Sequence, residues 1–237
     1  MRKALPCLLA VITIVLVLLA SCATSDADRV FSEEECRYTL EMVLTQATDT
    51  AIPALFVDIN NYKISMVPSR FSYLDNLRMT IPGMDRLLHQ WESDVLSYIF
   101  PYFEEFSVYL ETLAKNYEFT DPVGLINAGA GSVSDDIRKT HGEEMAALTK
   151  QRLEGLDTGT WAKIVIQYNS WARSMDNLYG QKYPAIDPDM PYETLILLLG
   201  HHLADVYLNT LTFYEVLIRT TPNPDMDPVA ARVLGLE

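Results

Sequence analysis

Apolar residues recur every three to four positions along most of this chain, a helical period. Cys36, Leu40, Val43, Leu44 and Ala47 mark a helix over 33–49. Ser32-Glu33-Glu34-Glu35 opens it with capping-box spacing and places acidic residues where the helix dipole favours them. Pro53, Asn60-Asn61 and Pro68 punctuate 52–67, which reads as irregular with one helical turn. Ile81-Pro82-Gly83 ends an extended stretch, and Pro82 suits the first turn of a new helix. Met84, Leu87, Leu88, Trp91 and Val95 carry that helix to Pro101, which should kink or restart it. Phe103, Phe106, Leu110, Leu113 and Tyr117 then resume the period.

Asp121-Pro122 opens a short helical turn that runs into Asn127-Ala128-Gly129-Ala130-Gly131. Ser132 or Ser134 can cap the next helix, which reaches about 154 with Asp135 and Asp136 in its first turn. Trp161, Ile164, Val165, Tyr168, Ala172 and Met175 form the cleanest amphipathic pattern. A loop over 179–191, rich in proline, leads to the longest helix, 192–219. That helix is apolar on more than one side, as expected of a central, buried element. Thr221-Pro222-Asn223-Pro224 stops it, and Asp227-Pro228 begins a short terminal helix. No alternating strand pattern and no internal repeat occurs. The expectation is an all-α fold: one multi-helix, bundle-like domain over 32–237 with a long, largely buried C-terminal helix.

The first residues follow a different rule. Arg2 and Lys3 precede a largely apolar run from Ala4 to Ala20, followed by Ser21-Cys22-Ala23-Thr24. This is the layout of a secretory signal, to be set apart from the fold. Leu19-Ala20-Ser21-Cys22 resembles a bacterial lipobox, in which the cysteine is acylated and becomes the first mature residue. The expected organisation is a signal peptide over 1–21, a lipidated tether over 22–31, and the helical domain. A retained anchor is the alternative, but the run spans only about 25 Å as a helix, short of a bilayer core of about 30 Å. Asp26 and Asp28, rather than basic residues, follow it. With Ala23 after the cysteine, the resemblance implies attachment at the outer membrane, facing the periplasm.

Composition adds two constraints. The formal charge is −14, and removing Arg2 and Lys3 makes the mature chain more acidic still. Such a chain is a poor partner for nucleic acid or anionic headgroups, so the lipid must do the anchoring. With Cys7 removed and Cys22 acylated, Cys36 is the remaining thiol, and no intramolecular disulfide can form. Cys36 is expected to pack inward as a small hydrophobe.

Candidate chemistry is sparse. His201 and Asp205, at i and i+4, can meet on one helix face, with His202 rotated about 100° away. A catalytic zinc usually takes three protein ligands, and HEXXH spacing is absent. A His–Asp hydrogen bond inside a helical core is the plainer expectation for this group than a metal-dependent enzyme. Gly129-Ala130-Gly131-Ser132 before a helix can gather backbone N–H groups around an anion. It lacks the lysine of a P-loop and a preceding strand, so a tight interhelical turn accounts for it. Arg138, Lys139 and Arg173 read as a solvated face. Thirteen Tyr, eight Phe and three Trp serve a core, and can also line an apolar ligand cavity between helices.

Several fixed points resemble the domain-of-unknown-function 4197 family of bacterial envelope proteins. These are Tyr73-Leu74-Asp75-Asn76 followed by Ile81-Pro82, the proline at 101, and Gly129, Gly131, Ser134, Ile137, Arg138, Lys139 and Thr140. Asp205, Asp227-Pro228 and Arg232 complete the series, whereas Asp136 stands where the family carries an aromatic residue. The resemblance implies a helical envelope domain and supplies no catalytic residue. The functional expectation is a non-enzymatic binding or scaffold domain without cofactor, whose partner is an envelope protein or an apolar ligand.

Overall fold

A computed structural model describes residues 31–61 and 63–236. The signal peptide, the lipobox residues Leu19, Ala20 and Ser21, Cys22 and nearly all of the tether lie outside the described residues. The elements are α1 (Glu33–Asn60), α2 (Tyr73–Leu77), α3 (Met84–Ile99), α4 (Phe103–Asn116), α5 (Pro122–Asn127), α6 (Ser132–Arg152), α7 (Gly159–Tyr179), α8 (Tyr192–Thr220) and α9 (Pro228–Leu234). Short 3-10 turns occupy Ser69–Phe71 and Phe100–Tyr102. There is no strand among the described residues, and the fold is all-α. No described helix is long and apolar enough to cross a membrane.

α1 begins as its capping box requires. Ser32 Oγ accepts from Glu35 N at 3.2 Å, and the Glu35 carboxylate accepts from Ser32 N at 3.0 Å. The helix does not stop near residue 49; it continues through Pro53 to Asn60. Pro53 and Asp49 both face solvent, so the carbonyl deprived of its donor stays open to water. Burial of Ala51, Ile52, Leu55 and Ile59 on the inner face holds the extension in place. The expectation of an irregular 52–67 is thus corrected over 52–60, while 63–67 lie in no helix: proline on the wet face does not end a helix whose other face is core.

The kink at Pro101 is a single 3-10 turn joining α3 to α4. α3 starts at Met84 after Gly83, so Pro82 lies just before the helix rather than in its first turn. α8 is the central element. It packs most extensively along α6 and then on α1, while α3 pairs with α7. Its inner face buries Leu195, Ile196, Leu199, Ala204, Tyr207 and Leu211. Gly200 sets the closeness of the α6–α8 crossing: a Cβ there would lie 2.7 Å from the Ala146 carbonyl oxygen. α9 folds back onto α1, where Arg232 pairs with Glu35. Cys36 is buried, as its spacing predicts.

Candidate functional site

Each constellation singled out in the sequence has a definite place. His201, His202 and Asp205 share α8 but turn to three different partners. His202 Nε2 lies 2.7 Å from the Ser65 carbonyl oxygen, so that nitrogen carries the proton. Nδ1 lies 2.9 Å from Ser69 Oγ and accepts from it. Neither ring nitrogen is left for a metal, and the imidazole ties Ser65 and Ser69, between α1 and α2, to α8. Asp205 pairs with Arg138 on α6, whose other nitrogen donates to Asn209 Oδ1 at 2.9 Å. His201 reaches only the exposed Glu143, at 3.8 Å. The expected His201–Asp205 contact is therefore absent, because the cation on the neighbouring helix outcompetes a histidine for the carboxylate. Arg138 is correspondingly an interhelical tie on a face still partly open to solvent. No cluster of metal-ligating side chains occurs among the described residues.

The Gly129–Ser132 turn does gather an anion, and the anion belongs to the chain itself. Glu215 of α8, 1% exposed, inserts its carboxylate at the N-terminus of α6. It accepts from Gly131 N at 3.0 Å, Val133 N at 3.1 Å and Ser134 N at 2.8 Å, and from Ser134 Oγ at 2.6 Å. Gly131, at φ 94°, takes a backbone conformation that side-chain-bearing residues rarely adopt. Arg219, one turn further along α8, donates to Glu215 at 3.0 Å. It also donates to the carbonyls of Leu125 and Ile126 at 3.2 and 3.1 Å, near the end of α5. A negative side chain thus meets the positive end of α6, and a positive one meets the negative end of α5. The helix start is capped by Glu215, not by Ser132 or Ser134 as expected. Ser132 Oγ instead donates to Leu125 O at 2.7 Å and accepts from Arg219 at 2.9 Å. Gly129, Gly131 and Ser132 consequently form a structural clamp with its anion already in place.

The remaining concavity of chemical interest lies where α1, α4, α6 and α8 diverge. Leu55 and Ile59 of α1, Phe103 and Phe106 of α4, Leu148 of α6, and Leu203 and Val206 of α8 line a half-open cavity of about 170 Å³. The wall is apolar because it continues the core: Leu55 and Ile59 belong to it, and Phe103, Phe106, Leu203 and Val206 pack against it. Ile99 at the end of α3 and Tyr102 of the turn at 100–102 add to the lining. Thr149 also lines the space, but its hydroxyl is spent on the Met145 carbonyl, 2.9 Å away. Phe56, 40% exposed, packs against Phe103 at 5.0 Å and Phe100 at 5.5 Å, extending the apolar surface outward. Charge enters only through Arg152 and Glu105, which pair with each other. Tyr109, also part of the wall, has its phenol pushed up to about 12 by burial and by the nearby Glu144 carboxylate.

The aromatic richness foreshadows this cavity, but its residues are scattered over four helices. Arg152 and Glu105 carry no sequence signal, since each reads as an ordinary helix-end charge. A wider cleft of about 700 Å³ between α3 and α7, lined by Arg86, Asp94, Tyr98 and Lys163, is polar and open. Asp94 in it is occupied by the Thr160 hydroxyl at 2.6 Å. Comparison with known proteins identifies no relative: no family model, no curated protein and no solved structure matches this chain.

Proposed function

We propose that this chain is a non-enzymatic binding domain of the bacterial cell envelope, attached through a lipid on Cys22 to the outer membrane and facing the periplasm. It holds an apolar small molecule in the cavity between α1, α4, α6 and α8. The observation that carries the reading is the cavity itself: about 170 Å³ walled chiefly by Leu, Ile, Phe and Val, where the wider cleft between α3 and α7 is lined by polar and charged side chains as well. An engineered apolar cavity of about 150 Å³ in another protein stays dry and takes up benzene, so this volume suits a six-carbon body. The lipobox-like Leu19-Ala20-Ser21-Cys22 supports the location. Likeness to the 4197 family rests on its spaced motifs and adds only that such domains are helical envelope proteins.

Titration of the domain with 1-hexanol, followed by NMR, tests the reading. Saturable shifts confined to methyl groups around the cavity, together with a raised melting temperature, are expected. Leu203→Trp should fill the space and abolish both while leaving the fold intact by circular dichroism. Absence of saturable binding in the wild-type domain overturns the proposal. The scaffold reading keeps one observation of its own. Phe213 and Leu217, one turn apart on α8, are 62% and 45% exposed. Retention of an envelope protein by the wild-type chain and its loss in Phe213→Ser would favour that reading.

A further inference from the structure

Arg152 stands at the mouth of the cavity, as the last residue of α6, and is the one cation among the described residues that line this largely apolar wall. Its guanidinium lies over the Tyr102 ring, 4.6 Å from the centroid. The stacking uses the face of the group and leaves its edge, where the N–H donors point, for in-plane hydrogen bonds. One nitrogen donates along that edge to Glu105, whose side chain is 62% exposed. An ion pair so open to water is readily exchanged. Tyr102 holds the guanidinium independently of Glu105, so the donor fork stays in place if the glutamate swings away.

Resting on the cavity reading above, we propose that the ligand is a short-chain apolar monocarboxylate. Its tail lies among Leu148, Leu203, Val206 and Phe106, and its carboxylate takes the place of Glu105 on Arg152. The exchange keeps the guanidinium paired: the Glu105 carboxylate turns to water as the ligand's arrives. The arriving group can accept from two donors at once, where Glu105 accepts from one. Glu105 therefore acts as a resident stand-in for the ligand's head. It keeps the guanidinium paired when the cavity is empty and must be displaced by an arriving carboxylate, whereas the preference over neutral compounds comes from Arg152 itself.

Paired NMR titrations with hexanoate and 1-hexanol at pH 7 and equal ionic strength test this, on wild type, Arg152→Gln, Arg152→Lys and Glu105→Gln. Hexanoate should bind wild type about tenfold more tightly than hexanol, the range of a charge-assisted hydrogen bond. Glu105→Gln should strengthen hexanoate severalfold without changing hexanol. Arg152→Gln should make the two equal, and Arg152→Lys should restore only part of the preference. If hexanol saturates the cavity but hexanoate binds no better, or if Arg152→Gln leaves hexanoate unchanged, this inference is overturned while the cavity reading stands. If neither compound binds, both are overturned.

Discussion

The clamp at the N-terminus of α6 makes the strongest quantitative claim about stability, and Glu215→Gln isolates it. The substitution preserves shape and removes one charge. On the Oε1 side, an amide oxygen can still accept from Gly131 N, Val133 N and Arg219. The amide nitrogen must then face the Ser134 N–H, donor against donor, where a 2.8 Å hydrogen bond stood. Arg219, 6% exposed, loses its countercharge, and keeps only neutral acceptors: the amide oxygen, the Ser132 hydroxyl and the carbonyls of Leu125 and Ile126. Removing one member of a buried ion pair costs about 3–5 kcal/mol, chiefly because the survivor stays charged and buried. The retained hydrogen bonds place Gln near the lower end, about 3 kcal/mol. At ~2–4 °C per kcal/mol for a domain of this size, the melting temperature should fall by roughly 6–12 °C. Glu215→Ala should cost more, because it also unpairs the N–H groups of α6. Acetate should recover part of that loss, by refilling a vacated helix N-terminus, whereas the same concentration of chloride should not. The measurement is thermal unfolding by circular dichroism, with Arg219→Met and the double variant closing a cycle. A Glu215→Gln shift under about 2 °C, or strict additivity with Arg219→Met, would refute the clamp as the seat of this stability.

Other consequences are equally open to measurement. Gly200→Ala pushes a methyl to 2.7 Å from the Ala146 carbonyl, a backbone atom that cannot rotate aside. The α6–α8 crossing should therefore open at a cost of about 1–3 kcal/mol, read as a lowered denaturant midpoint. Cys22→Ser should move the protein out of the membrane fraction or leave its signal uncleaved; a mature, detergent-requiring product would contradict lipid attachment. Burial and the Asp136 carboxylate outweigh the Thr140 hydrogen bond and push the Tyr117 phenol up to about 12. Its native value thus lies above the unfolded one, near 10, and the associated stability is complete below pH ~10 and lost between about 10 and 12. Unfolding curves across that range should show a loss that Tyr117→Phe reduces. At the acid end, the Ser32 hydrogen bonds lower Glu35, and a hydrogen bond from His141 lowers Glu144. Stability from these two is present above the ordinary 4.5 and fades as the pH falls through their lowered native values. Chemical unfolding at pH 3 and pH 6 should differ accordingly, and less so in Ser32→Ala.

Local chemistry alone determined where most helices begin and end. The capping box at Ser32, the prolines at 101, 122, 191 and 228, and the 3.6-residue period act within one or two turns, so they can be read from neighbours in the chain. The same holds for the burial of Cys36, which follows from its place in the α1 stripe. Where tertiary burial outweighs a local signal, the reading fails. Pro53 is a helix breaker by composition, but it is harmless on the wet face of an α1 held by Leu55 and Ile59. The pairing of charges was decided only by packing. Asp205 goes to Arg138 across 67 positions, and Glu215 goes to the α6 N-terminus across more than 80. No spacing rule spans such separations, because partner choice depends on which helix faces come together and how closely Gly200 lets them approach. The cavity belongs to the same class. Its walls are ordinary core residues in sequence, and the space among them exists only once α1, α4, α6 and α8 have packed, because residues as far apart in the chain as Leu55 and Val206 have to converge on it.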